Sequence, residues 1–206
     1  ILDDAEPDEV MIAIPSAPGT LRARVKIARG EELAGFEGGE VDNMVPPQAE
    51  CVVRVSAEEA KAALTASGFL EPEYEVSSDD AGAKIVAHGV ASHAAAPEHG
   101  KSAILMLADA LEKAGLVGGA SLRAVQAIRF FAQGCYGEHM GIACEDPDTG
   151  KTTMTVGVAR TYGDEIELHA DCRLSVAANP AQMAARFEEA ARNAGFDVIE
   201  TKTTDP

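Results

Sequence analysis

The side chains in this sequence that could support chemistry are imidazoles, which move protons near neutral pH, and guanidinium groups, which hold carboxylates. His169 and Asp171 are two residues apart and share one face of a strand, which could begin a metal site. No third and fourth ligand with matching spacing accompanies them, so a solvated strand face is the better interpretation. Taken alone, His93 in a Gly/Ala-rich loop and Arg173 on a polar strand face are solvated, and Asn43 shapes a turn.

Three groups of short motifs follow one another along the chain. They are GGEVDNMVP at Gly38–Pro46, HGVASHAAAPEHGKSA at His88–Ala103, and YGEHMGI at Tyr136–Ile142, which leads to TMTVG at Thr153–Gly157 and DCR at 171–173. The second resembles the G-x-x-x-H-x-x-x-P…G-x-N-A signature of the aminoacylase and carboxypeptidase G superfamily of two-zinc metallopeptidases. The other two resemble segments of PepV-type dipeptidases in that superfamily. Each motif is short, but three in the right order make the resemblance fairly specific.

The resemblance implies that this chain is the substrate-capping lid of a dipeptidase. In PepV-type enzymes the lid is inserted in the catalytic domain, and its two related halves form one sheet that imitates the dimer of simpler relatives. Carried over to this sequence, the motif makes His93 the catalytic residue that donates a hydrogen bond to the scissile carbonyl oxygen as negative charge develops there. Arg173 would bind the C-terminal carboxylate of a dipeptide or short peptide, and Asn43 would add a neutral hydrogen bond to that end.

The resemblance also places the remaining catalytic machinery outside this chain. The two zinc ions, their bridging carboxylate and the general-base glutamate belong to the catalytic domain, so no metal ligand is predicted here and the isolated chain is expected to be inactive. The implied partners are the protein's own catalytic domain and a peptide substrate. The sequence departs from the family at Thr155, where Asn is common, and at Leu174-Ser175, where an aromatic-proline pair is common, so the substrate side chains stay open.

Strands and helices alternate along the chain, which predicts an α/β or α+β fold. The clearest strand is Glu165–Ser175, where apolar and polar residues alternate, so that one face is core and the other is solvated. Ser56 with Glu59 forms a capping box at one helix start. Asn179 before Pro180 caps another helix.

An internal repeat organises these elements. Cys51–Val76 and Cys172–Thr201 share the same order: a strand, a serine, an Ala/Glu-rich helix and a Gly-Phe turn into a further strand. A strand near Lys84–Ser92 and a helix after Gly100 surround the second copy, which gives a β-α-β-β-α-β plan. The sequence therefore predicts two related units.

The predicted fold class is α+β, with two ferredoxin-like (β-α-β-β-α-β type) halves that share an antiparallel sheet with helices on one face. The first lid subdomain is predicted at residues 1–80 and has a degenerate form of this plan. The second is predicted at residues 81–206 and carries a helical insert at about 119–142.

Composition and charge exclude several classes of function. The chain has 206 residues and a formal net charge of −17, so its field repels phosphate backbones and anionic lipid; neither nucleic acid nor a membrane is an expected partner. The longest strongly apolar stretch, Ala103–Leu111, is far shorter than the roughly 20 residues of a membrane span. The four cysteines form no CxxC pair, which favours a reducing cytoplasm. Ile1–Glu9 has no signal-peptide features, and we expect an internal piece of a longer protein.

Two other interpretations stay open at this stage. A stand-alone ferredoxin-like regulatory module would bind a small metabolite or self-associate through its sheet edges, and it would need no second domain. A dimerisation domain of a related deacylase or desuccinylase would keep the superfamily but change the role. The repeated strand–helix–strand unit favours the lid, because a true dimer needs only one copy of the unit in each chain.

Overall fold

The computed structural model describes residues 19–204, which form an α+β fold with four α-helices and an antiparallel sheet of eight strands. Residues 1–18, where the first predicted subdomain begins, and residues 205–206, where the second ends, lie outside the described residues. The strands are β1 Gly19–Ala28, β2 Leu33–Gly38, β3 Met44–Val45, β4 Gln48–Val53, β5 Tyr74–Asp79, β6 Gly82–His88, β7 Ser92–His93, β8 Glu145–Asp146, β9 Gly150–Lys151, β10 Thr153–Tyr162, β11 Glu165–Leu174 and β12 Asp197–Thr204. The helices are α1 Ala57–Ala66, α2 Ala103–Lys113, α3 Gly119–Ala132 and α4 Pro180–Asn193.

The large sheet consists of two equivalent groups of four strands. Its order is β12-β1-β11-β10-β2-β4-β6-β5, so the groups meet where β2 pairs with β10. From this junction outwards, one group runs β2, β4, β6, β5 and the other runs β10, β11, β1, β12. The units β4-α1-β5 and β11-α4-β12 occupy equivalent places, which confirms the internal repeat found in the sequence.

One strand lies in a different group from the one that the sequence predicted. The strand expected near Lys84–Ser92 forms as β6, but it lies between β4 and β5 rather than in the unit at 81–206. The reason is local: only Asp80 and Ala81 separate β5 from β6, so the two strands pair as a hairpin. Its place in the second group is taken by β1, between β11 and β12. The predicted boundary at residue 80 lies in this hairpin turn, and the division into two lid subdomains stays a prediction.

The two faces of the sheet differ in polarity. On one face, the inward residues of the strands join residues of all four helices in one hydrophobic core. Ile104, Leu107 and Leu111 of α2 are fully buried there, each worth about 1.5–3 kcal/mol of transfer free energy. We call the opposite side the open face; on β11 it carries Glu165, Glu167, His169, Asp171 and Arg173. The helices thus cover one face only, as predicted.

Side chains reinforce the junction between the two groups of strands. β2 and β10 have one pair of directly opposed residues, Gly38 and Ala159. The hydroxyl of Thr161 accepts a hydrogen bond from the Phe36 amide at 2.8 Å and donates one to the Phe36 carbonyl at 3.0 Å. Arg160 Nη1 donates to the Gly38 carbonyl at 2.8 Å. These bonds satisfy backbone groups that would otherwise lack a ladder partner.

The predicted helix starts are confirmed. The Ser56 hydroxyl accepts from the Glu59 amide at 3.2 Å, and the Glu59 carboxylate accepts from the Ser56 amide at 3.0 Å. The Asn179 side chain accepts from the Gln182 amide at 3.0 Å. Within residues 19–204, no helix is both long enough and apolar enough to cross a membrane.

Candidate functional site

The loop that follows β6 carries His93 and is closed at its base. Val90 and Lys101 exchange backbone hydrogen bonds of 2.9 Å across it. A Cβ atom at Gly89 would lie 2.0 Å from the Lys101 carbonyl oxygen, so only glycine allows this approach. The motif glycine therefore has a structural reason, which is to close the loop that presents the histidine.

The imidazole of His93 is exposed and oriented by its own loop. Nδ1 accepts a hydrogen bond from the Ala95 amide at 3.1 Å. Because Nδ1 is the acceptor, the neutral ring carries its proton on Nε2. The side chain therefore presents an N–H donor away from the loop.

The segment that contains Asn43 lies beside the histidine loop. Met44 in β3 pairs with His93 in β7, and the Ala94 amide donates to the Asn43 carbonyl at 2.9 Å. These contacts join two motifs that are about fifty residues apart in the sequence. Two of the three predicted site residues are thus brought together by a short antiparallel pair.

The turn at residues 39–43 crosses the open face of the sheet. A Cβ atom at Gly157 in β10 would lie 2.2 Å from the Asp42 carbonyl oxygen, so the turn packs directly on the strand backbone. Asp42 Oδ1 lies 2.8 Å from His169 Nδ1, and Glu167 Oε1 lies 2.9 Å from His169 Nε2. His169 therefore connects the turn to β11. In the part of the chain that the structure describes, no group of three His, Cys, Asp or Glu side chains is arranged to hold a metal ion.

Arg173 lies on the open face and is paired with a buried carboxylate. Its Nε donates to Asp171 Oδ1 at 2.8 Å, and Arg22 Nε donates to Asp171 Oδ2 at 3.0 Å. The Asp171 side chain is 0% exposed, so its charge needs these partners. The interpretation of His169 and Asp171 as a solvated strand face is wrong for Asp171.

A short series of contacts links His93 to Arg173. Thr153 is the direct cross-strand partner of Arg173, and its hydroxyl donates to the Ala94 carbonyl at 2.6 Å. Ala94 directly follows His93, and the Ala94 amide donates a hydrogen bond to the Asn43 carbonyl. The structure therefore brings the segments that carry all three predicted residues next to one another.

The segment Tyr136–Ile142 is structural, although it belongs to a motif. Met140 and Ile142 are fully buried. His139 packs edge-on against Phe130, with ring centroids 5.3 Å apart. Burial lowers the pKa of His139, and a hydrogen bond to the Phe131 carbonyl opposes this shift. This histidine keeps the interpretation of a non-catalytic residue.

Sequence reasoning missed Arg22 and Thr153 as parts of this region. Arg22 lies in β1, within an opening segment of the sequence that matches no motif, and its partner Asp171 is 149 residues away. The only signal in the sequence is the alternation of Leu21, Ala23 and Val25, which turns Arg22 to the polar face of a strand.

Comparisons with known proteins give little beyond this geometry. No protein-family model matches the sequence. No curated protein matches it either. A solved structure that resembles it is the aminoacylhistidine dipeptidase from Vibrio alginolyticus, with 11% sequence identity, a TM-score of 0.38, and alignment over 93% of this chain and 46% of that one. The chain thus spans less than half the length of that structure, and a similarity this low carries no inference about function.

Proposed function

We propose that this chain is the substrate-capping lid, or dimerisation-like domain, of a PepV-type zinc dipeptidase. The observation that carries the proposal is that the segments with His93 and Asn43 and the strand with Arg173 are joined through Ala94 and Thr153. The three residues come from three separate motifs, and nothing in their spacing along the chain requires them to meet. Binding of one shared ligand would explain why these segments lie side by side.

Each residue has a distinct task in the proposed site. His93 donates from Nε2 to the scissile carbonyl oxygen as it becomes negative, because Nδ1 is occupied by the Ala95 amide. Arg173 binds the C-terminal carboxylate through its terminal nitrogens, since Nε is held by Asp171. Asn43 adds a neutral hydrogen bond at the same end. Closure of the lid excludes water from the reacting groups.

The zinc ions of this proposal belong to a catalytic domain beyond this chain. Under this proposal, the chemistry of this chain is restricted to binding and orienting the substrate and to hydrogen-bond donation. The isolated chain is therefore expected to hydrolyse no peptide, and its partner is its own catalytic domain in a reducing cytoplasm.

The arrangement of the sheet favours the role of a lid and argues against that of a dimerisation domain. The two equivalent groups already meet at β2 and β10 within one chain. A deacylase dimer would need a second chain for that contact. The regulatory-module alternative predicts clear heat of binding when the isolated chain is titrated with amino acids and dipeptides, whereas the lid predicts none that calorimetry resolves.

Replacement of His93 by alanine in the full-length protein tests the proposal. Loss of a donor to a developing oxyanion lowers kcat by about 10²–10³. His99→Ala is the matched control, because His99 is exposed on the same loop and its substitution is expected to leave kcat unchanged. A loss below about tenfold for His93→Ala, with the metal content of the protein unchanged, would remove this residue from catalysis.

A further inference from the structure

Two arginines share one buried carboxylate at the candidate site, and each uses only its Nε to do so. Arg22 Nε lies 3.0 Å from Asp171 Oδ2, and Arg173 Nε lies 2.8 Å from Asp171 Oδ1. Within residues 19–204, neither guanidinium group forms a salt bridge to another carboxylate. Both side chains therefore keep their terminal nitrogens for a further anion. Asp171 fixes the direction of both groups, because its own side chain is fully buried.

Arg22 also belongs to the cavity that contains Asn43. A polar cavity of about 350 Å³ lies between β1 and the turn at 40–43, and its walls are Arg22, Glu40, Val41, Asp42 and Asn43. Arg22 thus lines the same cavity as Asn43 and shares the Asp171 carboxylate with Arg173. It is the residue that joins these two parts of the site.

The charges around the two arginines are nearly balanced. Two arginines and Asp171 sum to one positive charge, within a chain whose formal net charge is −17. Of the carboxylates in the cavity, Asp42 is engaged by His169, and Glu40 is the group that would compete with a ligand. With Glu40 and Asp42 included, the site has a net charge of −1, so an anion would be held by hydrogen bonds from the directed terminal nitrogens of the two arginines and not by an excess of positive charge.

We propose that Arg22 is a second ligand of the substrate's C-terminal carboxylate, acting with Arg173. The inference rests on the proposed function and extends it. A substrate with a free C-terminal carboxylate would contact both arginines, whereas a C-terminal amide lacks the charge that both recognise.

Arg22→Gln in the full-length protein, assayed with a dipeptide and with its C-terminal amide, tests this inference. Loss of a charge-assisted bond raises KM for the dipeptide by about tenfold or more and leaves kcat nearly unchanged. KM for the amide does not change. Arg24→Gln is the matched control: Arg24 lies on the same face of β1, pairs with Glu167 and Glu200, and lines no part of the cavity. Its KM values stay at those of the unsubstituted protein.

Several outcomes separate this inference from the proposed function. If Arg173→Gln raises KM for the dipeptide and Arg22→Gln does not, the inference is wrong and the proposed function stands. If Arg22→Gln raises KM equally for dipeptide and amide, Arg22 has a structural role only, and the inference is again wrong. If His93→Ala leaves kcat unchanged and Arg173→Gln leaves KM for the dipeptide unchanged, both proposals fail.

A conservative substitution covers the case in which Arg22→Gln fails to fold. Arg22→Lys keeps the positive charge next to Asp171 but loses the planar fork of donors. The inference predicts a rise of several-fold in KM for the dipeptide, with an unfolding temperature near that of the unsubstituted protein. A KM identical to that protein's would overturn the inference.

Discussion

Replacement of Thr161 by valine perturbs the junction between the two groups of strands with little change in shape. The Thr161 hydroxyl accepts from the Phe36 amide at 2.8 Å and donates to the Phe36 carbonyl at 3.0 Å. Valine places a methyl group where the hydroxyl was, so both bonds are lost. β2 and β10 have only one directly opposed pair, Gly38 and Ala159, so no neighbouring ladder bond replaces them.

The expected loss of stability follows from the loss of these two hydrogen bonds. A hydrogen bond contributes about 0.5–1.5 kcal/mol net, and a buried group left without a partner costs about 1–3 kcal/mol. Phe36 is 0% exposed, so its two backbone groups cannot turn to water, and the low end of this penalty for each of them gives about 2 kcal/mol. We therefore expect the free energy of unfolding to fall by about 2 kcal/mol, since valine and threonine differ little in strand preference.

Urea unfolding of the full chain, followed by circular dichroism, measures this change. Thr203→Val is the matched control, because Thr203 is exposed in the edge strand β12 and its substitution leaves no group unpaired. That control is expected to stay within about 0.5 kcal/mol of the unsubstituted chain. The same small change for Thr161→Val would refute the role of Thr161 in joining the two groups.

Two further predictions concern the turn over the sheet and the partly buried His139. Gly157→Ala puts a Cβ atom 2.2 Å from the Asp42 carbonyl, so the turn must move and KM for a dipeptide is expected to rise several-fold. Gly35→Ala is the control, because a Cβ atom there has nothing within 4 Å. Equal KM values for the two variants would contradict the prediction. Burial lowers the pKa of His139, so its contribution to stability is complete above a pH of about 6.5 and is lost as pH falls below it. His139→Gln is expected to flatten the pH dependence of urea unfolding between about pH 7 and 5, and His99→Gln is not; unchanged pH dependence in His139→Gln would refute the assignment.

Within residues 19–204, the two groups of strands contribute unequally to the candidate site. Cys51 in β4 and Cys172 in β11 occupy equivalent places in the repeat, and both are buried in the core. The next residue faces the open side in each strand and is Val52 in one and Arg173 in the other. The first group therefore lacks the guanidinium group at the equivalent position. Its contribution to the site is the turn with Asn43 and the loop with His93.

The sequence by itself determined the features that depend on neighbouring residues. Period-two alternation predicted β11 almost to its ends, and the Ser56–Glu59 pair predicted the start of α1. These signals are readable because strand pleating and helix capping act over two to four residues. The repeat was also readable, since it needs only the order of such local units. His93 and Asn43 could be selected because their motifs are continuous in sequence.

Only the tertiary structure decided which distant segments meet. β1 enters the second group by pairing with β11 and β12, more than a hundred residues away, and this pairing brings Arg22 to Asp171. No periodicity encodes such a register, because it depends on the burial of whole strand faces against the helices. The alternation in β11 places Asp171 at a polar position. Only the structure shows that its side chain is buried and paired with Arg22 and Arg173. The composition of the candidate site is therefore a consequence of strand order, which the fold sets and the motifs do not.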